Sequence, residues 1–101
     1  MVVGVCHLDV LIEGVGSLKG KRQVMRSLMD RVKKRFNVSI SEVGNQDSWQ
    51  RAQLGISVVG PDQELIDSVL SKLLSFIEET NLVQVLRSNV EFLHFNLNFF
   101  R

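Results

Sequence analysis

The spacing of apolar residues in this chain switches repeatedly between two residues and 3.6, and this switching restricts its folds more than any other property. Over residues 2–13, Val2, Gly4, Cys6, Leu8, Val10 and Ile12 take one parity, while the other set turns polar at His7, Asp9 and Glu13. Alternate side chains of a strand point to opposite faces, so this segment reads as a strand with one covered and one open face. Gly14 and Gly16 end it. From about Lys21 to Phe36 the apolar positions Val24, Met25, Leu28, Met29, Val32 and Phe36 form one helical stripe, with Ser17 either opening the helix region or closing the loop before it. Residues 37–43 and 51–59 return to strand character. Gly60-Pro61-Asp62 marks a second helix start, and residues 62–79 divide into a broad apolar side and a polar one. Strand character resumes over about 82–100, long enough for a bend or bulge near Arg87-Ser88-Asn89 to be expected.

Strand-helix-strand-strand-helix-strand is the order of the split βαβ, or ferredoxin-like, motif. The expected fold class is therefore α+β: a four-stranded antiparallel sheet with two helices on one face. Right-handed crossovers put the first and third strands in the centre and the second and fourth at the edges. The reading is one domain over residues 1–101, its last strand extending across 90–101. The expected core holds Cys6, Leu8, Val10, Leu93, Phe95, Leu97 and the helix stripes. His7, Asp9, Glu13, Gln53, Ser57, His94 and Asn96 are expected on the other face. A lone domain exposing Val5, Leu11, Phe92 and Phe100 would have an adhesive patch, and a long edge strand invites pairing. A homo-oligomer, formed through the sheet face, the edge or both, is the expectation.

Composition narrows the class further. The chain is 101 residues long and 45% hydrophobic, enough for one modest core. No apolar run approaches the length of a bilayer span, and the N-terminal MVVGVCHLDV reads as a strand, since it lacks the basic region of a signal peptide. The single cysteine, Cys6, excludes an internal disulfide and fits a reducing compartment. The expected location is cytoplasmic, with no membrane partner.

Net charge is +1, yet residues 19–35 hold eight basic side chains and one acid, Asp30. Lys34 and Arg35 suit the C-terminal end of a helix dipole, whereas Lys19, Lys21 and Arg22 at its start oppose it. Helix stability alone does not account for them. Lys19, Lys21, Arg22, Arg26, Arg31, Lys33 and Lys34 are therefore read as a patch for nucleic acid or another anion, with RNA or a ribosomal component as partner. The bland alternative is a solvated face with interface ion pairs. The open sheet face offers few aromatics and no K/R-G-F/Y run, unlike a standard RNA-recognition domain.

GNQDSWQRAQLG, residues 44–55, joins the second and third strands. Asn45, Gln46 and Asp47 suit a turn. Trp49 reads first as a structural anchor and second as part of a partner-binding loop with Gln50 and Arg51. His7 and His94 would share a face if the first and last strands pair, but no ligand spacing supports a metal site. Cys6 falls in the core parity and has no evident base. No phosphate-binding loop or nucleophile elbow is present. The reading assigns no catalytic residue, no metal and no cofactor. An enzyme of unknown class stays the minority alternative, beside a homo-oligomeric interaction module that uses the open sheet face and the Trp49 loop.

SLKGKR after the first strand, followed by FNVSISEVGNQDSWQRAQLG, resembles the YlxP-like family of small bacterial proteins, a domain-of-unknown-function family. The resemblance covers about residues 1–92 and implies a ferredoxin-like fold. Family genes often lie beside those for translation initiation and ribosome maturation, which implies an RNA- or ribosome-linked role. Ser17, Leu18, Lys19, Lys21 and Arg22 match the first motif, while Gly20 replaces an acid. Gln46, Asp47, Trp49, Gln50, Arg51 and Ala52 match the second, while Asn45 stands where many members have His. Acid-base chemistry through an imidazole at position 45 is therefore not available to this chain.

Overall fold

The computed structural model describes residues 1–96, in the order β1 (Val2–Leu11), α1 (Leu18–Arg35), β2 (Ser39–Gly44), β3 (Arg51–Gly60), α2 (Gln63–Glu79) and β4 (Gln84–His94). The strands form one antiparallel sheet in the order β2-β3-β1-β4. This is the expected ferredoxin-like arrangement, with β1 and β3 central. β4 is strand as far as His94, and Phe95 N still donates to Met1 O at 2.9 Å. Of the strand anticipated over 90–101, Phe95 and Asn96 follow the end of β4, and residues 97–101, including Leu97 and Phe100, lie outside the described residues.

Each helix starts where a side chain can satisfy a free backbone amide. Ser17 Oγ accepts from Gly20 N at 3.0 Å and Asp62 Oδ1 from Leu65 N at 2.8 Å, caps that stabilise by about 1 kcal/mol each. Ser17 is thus the N-cap of α1. α1 ends where Phe36 turns extended. After α2, Thr80 Oγ1 donates to Ile77 O and Asn81 takes a left-handed conformation.

Met25, Leu28 and Val32 of α1 and Ile66, Leu70, Leu73 and Ile77 of α2 are buried against Cys6, Leu8 and Val10 of β1 and Ala52, Leu54 and Ile56 of β3. Full burial of one Leu or Ile stabilises by roughly 1.5–3 kcal/mol, so this layer is the main source of stability. Gly4 lies under α2. A Cβ there would collide with Ile66 Cγ2, so a side chain at this position would force Ile66 to shift.

The structure corrects the expected facing of β4. Leu93 and Phe95, expected in the core, are 47% and 50% exposed. Val90 and Phe92, opposite Cys6 and Gly4, pack against the core instead. The reason is register. Asp9 pairs with Arg87 but Val10 pairs with Val85, so Leu86 is an extra residue, a bulge just before the expected 87–89. A one-residue insertion exchanges the faces of the side chains beyond it. His94 consequently meets Gln63 of α2 at 2.9 Å, while His7 meets Gln53 on the uncovered face at 3.2 Å. The two histidines do not share a face, and Phe92 does not contribute to the open one.

Candidate nucleic-acid interface

Lys21 does not belong to a surface patch. It is 1% exposed, and it shares the inward stripe of α1 with Met25, Leu28 and Val32. Its stem packs as apolar matter. Its Nζ donates to Asn45 O at 2.6 Å and lies 2.9 Å from Glu42 Oε2. A buried ammonium is tolerated only when oxygens compensate it. Glu42 Oε2 is itself sealed from solvent without a well-directed hydrogen bond. The carbonyl therefore takes the directed bond and the carboxylate supplies the charge.

The other basic residues of α1 are exposed: Lys19, Arg22, Arg26, Arg31, Lys33, Lys34 and Arg35. At 100° per residue, Lys19, Arg22, Arg26, Lys33 and Lys34 fall on the outward side with Asp30, opposite the buried stripe. Arg22, Arg26, Met29, Asp30, Lys33 and Glu42 line a cleft of about 320 Å³. Arg31 and Arg35 lie one turn apart on another side, where the Arg35 guanidinium carbon sits 4.9 Å from the centre of the Phe76 ring of α2.

The loop between β2 and β3 is organised by its backbone. Asn45 has φ 60°, a left-handed conformation that Asn and His enter more readily than most residues. Its carbonyl accepts from Ser48 N at 3.1 Å as well as from Lys21. Ser48 Oγ accepts from Arg51 N at 3.2 Å, and Gln50 O accepts from Ile12 N at 2.7 Å. Gln46, Asp47 and Gln50 are exposed. Trp49 is 48% exposed and lies outside the buried core. Arg51 turns back over the sheet, with Nη2 2.5 Å from Asp9 Oδ2 and Nε 3.3 Å from Oδ1.

Two groupings escaped the sequence reading. The first is Asp9 with Arg51 and Arg87. Asp9 is only 5% exposed although it lies on the uncovered face, because Arg51 grips it and Arg87 approaches within 3.9 Å. Parity placed Asp9 on that face; the diagonal reach from Arg51 depends on register. The second is a cleft of about 440 Å³ between α1 and α2, lined by Arg35, Phe36, Lys72, Ser75, Phe76 and Glu79. Phe36 and Phe76 meet edge to face, 5.7 Å between centres at 62°. Lys72, Ser75 and Glu79 belong to the polar side of α2, and the periodicity of one helix does not disclose which neighbour that side meets.

Cys6 is fully buried, and burial pushes its thiol up. Among the described residues no three His, Cys, Asp or Glu side chains gather into a potential metal site, and no helix is long and apolar enough to cross a membrane.

Fold and polar groupings together define a small α+β domain of ferredoxin-like topology, with a cationic helix on one side of the sheet and an uncovered face on the other. Residues 3–90 match a family described as a protein of unknown function, DUF503, and the chain belongs to that family. It is 40% identical over 77 residues to the uncharacterized protein YlxP of Bacillus subtilis (strain 168), covering 76% of this chain and 84% of that protein. Solved structures of similar shape include the de novo designed protein Foldit4, with TM-score 0.49, 15% identity and coverage of 94% of this chain and 98% of that one. Another is a putative chlorite dismutase, with TM-score 0.48, 14% identity and coverage of 91% and 44%. Likenesses this distant carry no functional argument.

Proposed function

We propose that this protein binds RNA, free or within a ribosomal particle, by holding the phosphate backbone on the exposed cations of α1. One observation carries the reading: with Lys21 engaged in the interior, seven basic side chains of α1 still face solvent, and Asp30 is the one acid on that helix. An α-helix of 18 residues is about 27 Å long, enough to track several phosphates. Neutralising phosphates releases counterions, so affinity should fall steeply with salt. The gene neighbourhood implied by the family resemblance favours RNA over other polyanions.

The test is fluorescence anisotropy with a short unstructured RNA between 50 and 200 mM salt, for the parent and for Arg22→Glu/Arg26→Glu/Lys33→Glu. The parent should bind with strong salt dependence and the folded triple variant far more weakly. Equal affinity of the two would end the proposal. Lys21 is excluded from the triple because reversing its charge would test folding.

A second reading is self-association through the uncovered sheet face. Val3, Val59 and Leu93 lie side by side across β1, β3 and β4, next to Val5, and Val59 and Leu93 are 63% and 47% exposed. Glu91 and Arg87 of β4, paired with Val5 and Asp9, bring one charge of each sign to the same face. Light scattering during size exclusion at micromolar concentration should report a dimer; a monomer alone would dismiss it.

A further inference from the structure

We infer that the cleft between α1 and α2 seats one unpaired RNA base, with flanking phosphates on Arg31, Arg35 and Lys72. This rests on the RNA reading above and adds the point at which a base is recognised.

The cleft combines the three kinds of group that an unpaired nucleotide needs. Its floor is aromatic, with Phe36 bracing Phe76 edge to face at 5.7 Å between centres. Over Phe76 lies Arg35, its guanidinium carbon 4.9 Å from the ring centre. Unpaired bases stack on aromatic rings and on guanidinium planes, and here the ring holds the guanidinium in place. The rim is cationic: Lys72 faces the cleft from α2, and Arg31 continues the line from Arg35 one turn back along α1. Among the described residues, no ion pair engages Arg35, Lys72 or Glu79. Their charges remain available to a ligand. The volume of about 440 Å³ falls within the roughly 300–1,000 Å³ of small-ligand clefts.

Glu79 supplies selectivity. A carboxylate accepts hydrogen bonds, so it favours a base edge rich in N–H donors. Cytosine presents an exocyclic amino group with two N–H donors, whereas uracil presents one N–H flanked by two carbonyls that repel a carboxylate. The cleft should therefore prefer cytidine to uridine, and Glu79→Gln, which adds a donor, should narrow that preference.

The experiment compares anisotropy of the full chain with three labelled RNA strands of equal length and charge: oligocytidine, oligouridine and a strand carrying abasic sites. The parent should bind oligocytidine roughly tenfold more tightly than the abasic strand, the scale of one stacked base. Ser75→Leu, which fills the cleft from an exposed position, should abolish that gap without weakening abasic binding. Arg35→Ala should abolish it too, with a uniform loss from the missing phosphate contact. Circular dichroism verifies that each variant is folded. Equal, salt-sensitive binding of all strands by the parent would overturn the cleft inference and leave the RNA reading standing. A gap that survives both variants would overturn it as well. Binding of no strand would remove the RNA reading and this inference with it.

Discussion

Lys21 Nζ donates to the backbone carbonyl of Asn45, 2.6 Å away across 24 residues of chain. SLKGKR and GNQDSWQRAQLG are thereby two halves of one structural joint, closed by Glu42. Position 45 contributes a carbonyl and a left-handed turn, a conformation that Asn enters more readily than most residues.

Breaking that joint should be costly. Lys21→Met keeps the apolar stem but leaves Glu42 without its cation, and urea unfolding should show a loss of about 3 kcal/mol. Lys21→Met/Glu42→Leu should recover most of it. A single variant as stable as the parent would show that the pair contributes nothing.

Gly20 is a point where this chain can be improved. Ser17 is the N-cap, and Gly20 occupies the position from which an acid reaches back in a capping box. A Cβ at Gly20 meets its nearest atoms at 3.4 Å, an ordinary contact. Gly20→Asp should raise stability by about 1 kcal/mol, through the dipole and reduced chain entropy, measured as an upward shift in Tm. An unchanged or lower Tm would contradict the assignment.

The phosphate track makes a quantitative claim. Each phosphate contact to single-stranded RNA contributes about 0.7 to the slope of log affinity against log salt. The triple reversal of Arg22, Arg26 and Lys33 should therefore lower the slope by about 2. A variant that lost affinity at an unchanged slope would point to a structural effect instead.

Asp9 should act as an anchor on the uncovered face. Asp9→Ala removes the acceptor that holds Arg51, and the loss should be about 2 kcal/mol, since hydrogen bonds to charged groups fall in that range. Arg87→Ala should cost much less, because Arg87 is 85% exposed and only approaches Asp9. Equal losses from both substitutions would refute this ranking.

Cys6 offers a pH test. Burial pushes its thiol up, so the folded protein keeps a proton that the unfolded chain gives up more readily. Its contribution to stability is fully present below the ordinary thiol range and is lost as pH rises from that range up through the raised folded value. Iodoacetamide should label Cys6 only as fast as the protein opens, and labelling should accelerate at alkaline pH. Rapid labelling of the native protein at neutral pH would show that the core is open.

Much of this fold is legible in local pattern. The stripe of Met25, Leu28 and Val32 and the parity of Cys6, Leu8 and Val10 lead directly to buried residues. β4 is different, because Phe92-Leu93-His94-Phe95 has apolar residues in both parities and alternation alone could not choose between them. Lys21 reads as a surface cation because charge usually means solvent; its burial needs a carbonyl and a carboxylate from residues more than twenty positions away.

What the sequence by itself determined is the type and order of the elements, and from them the sheet order β2-β3-β1-β4, because periods of two and 3.6 are local and crossover handedness does the rest. Only the tertiary structure decided which side of β4 faces the helices, which lysine goes inside, how Asp9 is covered and where Arg35 meets Phe76. Each of those depends on register or on a contact between distant segments. A one-residue bulge at Leu86 or a paired carboxylate at Glu42 reverses what the local pattern of polarity suggests.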